Sequence, residues 1–163
     1  MNQIQNIMRK LILFSLCGFT LFSFTCQREI NLDQFIDAWH QAASDAKFDR
    51  YFNMMDSSFV FLGTAPGERW KKDEFAKFSK PYFEQGKAWD FKAKNRIWHR
   101  DEAGLIAWFD EDLDTWMEGC RGSGIVKKTK DGWKLMYYNL TVLIENEKIK
   151  SFIALRKQPI EKP

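Results

Sequence analysis

Few residues in this chain have the type and spacing to do chemistry. The segment "DEDLD" puts Asp110, Asp112 and Asp114 at the one-three-five spacing of a calcium loop. The remaining positions fail, because Thr115 stands where the sharp turn needs Gly and Arg121 where a bidentate Glu belongs. The segment reads as a solvated hairpin end. No Cys or His pair has zinc-like spacing, so no metal is expected. A general base needs burial and a polarising partner to shift its pKa, and the residues of suitable type are Asp110, Asp90, His40 and His99. His40 follows Trp39 at the edge of an apolar stripe and His99 precedes the turn "RDEAG". Both read as surface or boundary residues, no catalytic residue is assigned, and no cofactor is expected.

Binding chemistry has more candidates. Arg121 lies mid-strand with the small Ser123 on the same face, where a guanidinium could hold a carboxylate through two parallel hydrogen bonds; the alternative is an outward Arg paired with Asp110 or Glu118. Strand alternation puts Tyr138 on the opposite side from Tyr137 and Asn139. Lys134 argues that the even face is outward, whereas Met136, Leu140 and Val142 argue that it is inward, and a bulge would reconcile the two. Of the seven tryptophans, Trp39, Trp89 and Trp133 fit their elements' apolar pattern as core anchors, whereas Trp70 and Trp108 could border a pocket. The expected ligand-binding set is Arg121, Trp108, Asp110, Ser123, Tyr138, Asn139 and Trp70.

The elements that must position these residues follow from patterning. Asn31 followed by Gln34 makes a capping box, with Ile30 and Phe35 as a hydrophobic staple. Leu32, Phe35, Ile36, Trp39, Ala43 and Ala46 then recur at helical spacing. "KFDRYFNMM" reads as a second short helix and "SSFVFLGT" as a β-rich run stopped at Pro66-Gly67. "KKDEFAKFSKPYFEQG" carries Phe75, Phe78 and Tyr82 on one helical face, with Pro81 breaking or kinking it and Gly86 able to end it. From Lys87 the period changes to alternation, and four strands at hairpin spacing predict an antiparallel meander. The fold class is α+β.

The glycine-rich stretch "GCRGSGIVKK" is no phosphate loop, because Gly119, Gly122 and Gly124 miss the Gly-x4-Gly-Lys-Ser/Thr spacing and a β-rich run follows. They fit a strand that bends or admits a close neighbour. Lys130-Asp131-Gly132 is a tight turn.

The first ten residues carry Arg9 and Lys10 without an acid. They run into "LILFSLCGFTLFSFT", an uncharged stretch ending at Cys26. This is short for a membrane crossing and has the layout of a secretory leader. Residues 1–26 are read as a signal peptide with a lipobox-like Cys26 as the lipidation site, exporting a lipid-anchored or periplasmic domain over residues 27–155, with 156–163 as a tail. Beyond the leader Cys120 stands alone, so no internal disulfide is expected. Of 25 basic and 22 acidic residues, Arg9 and Lys10 belong to the leader. The remainder is close to neutral, which argues against a nucleic-acid partner.

The segments "FVFLGTAPGERWKKDEF", "KPYFEQGKAWDF", "AWFDEDL" and "RGSGIVKKTKDGWKLMYYNL" together resemble the SnoaL-like branch of the nuclear transport factor 2-like superfamily over residues 31–146. The resemblance implies a cone of about three N-terminal helices on a strongly curved antiparallel sheet enclosing a pocket, and homodimers paired through their sheets. It leaves two functional expectations open. One is a non-catalytic binding or assembly module whose pocket holds a small, partly apolar ligand, anionic if Arg121 faces it; the other is an isomerase or lyase using a pocket carboxylate or His as general base.

Overall fold

The computed structural model describes residues 31–159; the leader, Cys26 and Ile30 lie outside that range. Helix α1 (Leu32–Ser44) starts where the Asn31 side chain accepts the Asp33 N–H. It buries Leu32, Ile36, Trp39, His40, Ala42 and Ala43. Short helix α2 (Phe48–Asn53) leads into β1 (Met55–Leu62), which pairs antiparallel with β2 (Arg69–Lys71). Helix α3 (Lys72–Glu84) runs through Pro81 to its end, and Gly86 follows with φ 85°. Phe75 of α3 is buried, whereas Phe78 and Tyr82 on the same face are substantially exposed.

Strands β3 (Lys92–Arg100), β4 (Ile106–Thr115), β5 (Glu118–Thr129) and β6 (Gly132–Val142) form the antiparallel meander. The curved sheet has six strands in the order β2-β1-β6-β5-β4-β3. It is mixed, which corrects the antiparallel expectation: β1 lies parallel to β6, with Phe61 opposite Tyr138. Alternation within each strand cannot reveal such a pairing, because it joins the two ends of the sheet-forming sequence. A 3₁₀ turn (Asn146–Lys148) and helix α4 (Ile149–Arg156) follow β6; the sequence reading did not foresee that helix.

Two bulges decide which side chains face the helices. In β3 the register with β4 shifts between Lys94 and Ile97, and Asn95 sits there with φ 48°. Arg96 and Trp98 consequently turn towards α1, while Ile97 and His99 turn away. In β6 the register shifts at Met136, so Trp133 and Leu135 point inward before it, and Tyr138 and Leu140 after it. Lys134 and Leu140 thus face opposite sides although both positions are even.

Candidate functional site

At the centre of the fold is a carboxylate with no contact with solvent. Glu111, on β4, is 0% exposed. Its Oε1 accepts from His40 Nε2 at 2.8 Å and from the Tyr138 hydroxyl at 2.7 Å. Its Oε2 accepts from Arg96 Nε at 2.8 Å and lies 2.7 Å from Arg96 NH2. Arg96 reaches on to Asp37 at 2.8 Å and Asp33 at 3.2 Å, fastening β3 and β4 to the first turns of α1.

Burial works against ionising Glu111, but the hydrogen bond and charge of His40, then Arg96 and Tyr138, outweigh it and hold the carboxyl below its ordinary range. Tyr138 is shifted the other way. Burial, then the Glu111 charge, push its phenol well above the usual value, so it remains a donor. Since an ionised Glu111 can only accept, His40 must carry its proton on Nε2. Every oxygen of the carboxylate is engaged.

Glycine makes this arrangement possible. Gly122 on β5 lies opposite Glu111 on one side and Leu140 on the other. A Cβ there would collide with the Tyr138 hydroxyl, sit 2.8 Å from Tyr138 Cζ and 3.0 Å from Glu111 Oε1. Gly124 leaves room in the same way for Phe109, whose Cε1 and Cζ would be 2.5 Å from an added Cβ. The two glycines are therefore the floor on which two bulky inward rows meet.

Beside this network is a cavity of about 220 Å³. Its walls come from α3 (Phe75, Phe78, Tyr82), from β1 and β2 (Phe61, Trp70) with their loop (Gly63, Thr64, Glu68), from Trp89 and Phe91, from the β4–β5 turn (Trp116, Met117) and from Leu140. Trp116 is 81% exposed. Its turn is fixed by Thr115 Oγ1, which accepts the Met117 N–H at 2.9 Å and donates to the Glu118 carbonyl at 3.1 Å. A second, polar cleft of about 290 Å³ is lined by Asp37, His40, Gln41, Ser44 and Asp90. Phe91 borders both spaces and its ring lies 6.2 Å from that of His40.

Against this geometry the sequence-predicted residues divide cleanly. Trp70 lines the cavity, and so does Trp89, which patterning had placed in the core. Tyr138 is buried and bonded to Glu111. Asp110, Ser123 and Asn139 are brought together as register partners across three strands, but on the face away from the helices. Trp108 is there too, 44% exposed and stacked on His99 at 5.7 Å. Arg121 is on the same outer face, 3.4 Å from Asp112, so the outward alternative holds, with a different acid from the two expected. None of these five lines the cavity, because strand parity from the inward Phe109, Glu111 and Leu113 fixes them outward.

Two further readings need correction. His40 is buried rather than a surface or boundary residue, and together with Asp90 it borders the polar cleft. The "DEDLD" run is not wholly a solvated hairpin end, since its Glu111 is at the centre of the core. Sequence reasoning missed Glu111 and Arg96. The one available signal was that Glu111 occupies the same parity as Phe109 and Leu113, which a solvated acid should not share.

Comparison with curated proteins finds no match. Among solved structures, a domain of unknown function with a cystatin-like fold from Nostoc punctiforme superposes with a TM-score of 0.61 at 14% identity, covering 79% of this chain and 85% of that one. A nuclear transport factor 2-like protein of unknown function from Pseudomonas putida gives 0.59 at 13%, covering 72% and 87%. A candidate dehydratase of the nuclear transport factor 2-like family from Streptomyces avermitilis gives 0.59 at 11%, covering 70% and 94%. At these identities the likeness is one of fold. The fold is thus that of the nuclear transport factor 2-like proteins, and the SnoaL-like domain model, which matches residues 32–145, places the chain in the SnoaL-like family.

Proposed function

We propose that this SnoaL-like domain is a non-catalytic binding module that holds a small, largely apolar molecule in the aromatic cavity. The observation that carries this reading is the separation of the two halves of the site. The cavity is walled by Trp, Phe and Tyr side chains, whereas the buried histidine–carboxylate network lies behind that wall with every Glu111 oxygen bonded. A base whose lone pairs are spent on its own scaffold has none for a substrate. The exposed rings of Phe78, Tyr82 and Trp116 would lose apolar surface to water-free contact when a ligand enters, at about 25 cal/mol per Å².

The outer sheet face is the proposed pairing surface for a second copy. It exposes Ile97, Ile106 and Trp108 around the Asp110–Ser123–Asn139 row. Native mass spectrometry of gently purified residues 27–163 reads both proposals at once. The expected spectrum is a dimer carrying a discrete small-molecule mass. A monomer would defeat the pairing, and a domain that chemically converts its retained molecule would overturn the non-catalytic reading, making His40, which borders the polar cleft, the base to test.

Export through the leader, with acylation at Cys26, is proposed on the sequence pattern alone. The prediction is that Cys26→Ser moves the full-length chain from the membrane to the soluble fraction while Cys17→Ser does not. Identical fractionation of the two variants would remove the lipid anchor from the reading.

A further inference from the structure

We propose that the cavity selects a cation: a small protonated amine or quaternary ammonium compound with an apolar or aromatic body. The proposal rests on the binding reading above and goes beyond it by fixing the ligand's charge. Among the described residues lining the cavity there is one carboxylate, Glu68, and no Lys, Arg or His. The surrounding wall is rich in rings whose faces carry negative electrostatic potential, with the indoles of Trp70, Trp89 and Trp116 the strongest of them. Carboxylate and ring faces thus favour the same sign of charge, and both oppose an anion. The expectation of an anionic ligand depended on Arg121, which lies on the other side of the sheet against Asp112.

Glu68 is held in place rather than free to swing away. Its Oε2 accepts the Ala65 N–H at 2.9 Å, its own N–H donates to the Ala65 carbonyl at 3.2 Å, and its carbonyl accepts the Gly63 N–H at 2.9 Å. The side chain lies directly on Gly63, where an added Cβ would collide with Oε2 and come within 2.9 Å of the Glu68 Cβ. The loop therefore presents a preorganised, half-buried carboxylate at an aromatic pocket. There a charge is less screened than on an open surface.

Calorimetric titration of the full exported chain with benzyltrimethylammonium, with its uncharged isostere neopentylbenzene and with phenylacetate tests this. The cation is expected to bind about tenfold more tightly than the isostere, and phenylacetate least of the three. Glu68→Gln keeps an acceptor for the Ala65 N–H. It is expected to weaken the cation about tenfold and leave the isostere unchanged. Equal binding of cation and isostere, or a cation affinity indifferent to Glu68→Gln, would overturn the charge selectivity while leaving an apolar binding site intact. Binding of none of the probes, together with a ligand-free native mass spectrum, would overturn the binding reading as well.

Discussion

Replacing Glu111 with Gln is expected to destabilise the domain by about 3–5 kcal/mol, the usual consequence of removing one partner from a buried ion pair. The substitution is nearly isosteric, so the effect isolates charge and hydrogen-bond polarity from packing. A Gln carbonyl could still accept from His40 and Tyr138, but its amide would then point N–H groups at Arg96 Nε and NH2, which are donors themselves. Arg96 would keep Asp37 and Asp33, both on α1, and would lose its side-chain link to β4. Urea unfolding at neutral pH measures this directly. A loss below about 1 kcal/mol would mean that the carboxylate is not the keystone its burial suggests.

The same group makes a prediction about acid. The Glu111 carboxyl is held below its ordinary value of 4.5 in the folded state. A depressed carboxyl contributes stability that is present above the unfolded value and is lost as the pH falls through the folded one. Wild type should therefore lose stability on acidification below about 4.5, and Glu111→Gln should lack that component. The gap between the two proteins is expected to narrow as the pH drops, and a constant gap from pH 7 to pH 3 would contradict the linkage.

Gly122→Ala is the second large effect, expected to cost about 2–3 kcal/mol although it adds only one methyl group. The added Cβ has no free space, since it would overlap the Tyr138 hydroxyl and press on Glu111 Oε1. Relief requires Tyr138 to retreat, which breaks its 2.7 Å bond to Glu111. Tyr138→Phe alone removes a buried hydrogen bond to a charged group and should cost about 1.5–3 kcal/mol. Combined, the two changes should cost clearly less than their sum, because the nearest clashing atom is gone and the ring, still 2.8 Å away at Cζ, has no bond to Glu111 to lose when it shifts. Additivity within about 0.5 kcal/mol would show that the glycine does not act through the tyrosine. By contrast, Gly119→Ala meets nothing within 4 Å and should be close to neutral.

How much of this could be read beforehand differs from residue to residue. The Asn31 cap, the α1 stripe, the Asp131-Gly132 turn and the four meander strands are local features, set by propensity and by a period of 3.6 or 2. Trp70 was recognisable as a pocket residue because it follows a turn rather than sitting inside an apolar pattern. The outward placement of Asp110, Arg121 and Ser123 was not, since alternation shows that two residues share a face without saying which face is covered.

The sequence by itself determined the family, the helices before the meander and the meander's four strands, and it marked the glycines of β5 as places where the strand bends or admits a close neighbour. Only the tertiary structure decided what that neighbour is and where the site lies. Glu111, His40, Arg96 and Tyr138 come from α1, β3, β4 and β6, and no spacing rule connects them. Two one-residue bulges, at Asn95 and Met136, reverse the parity that places Arg96 and Tyr138 inward. A bulge is settled by register against a neighbouring strand and by what the covering helix will accept, so its position belongs to the assembled sheet rather than to any single segment.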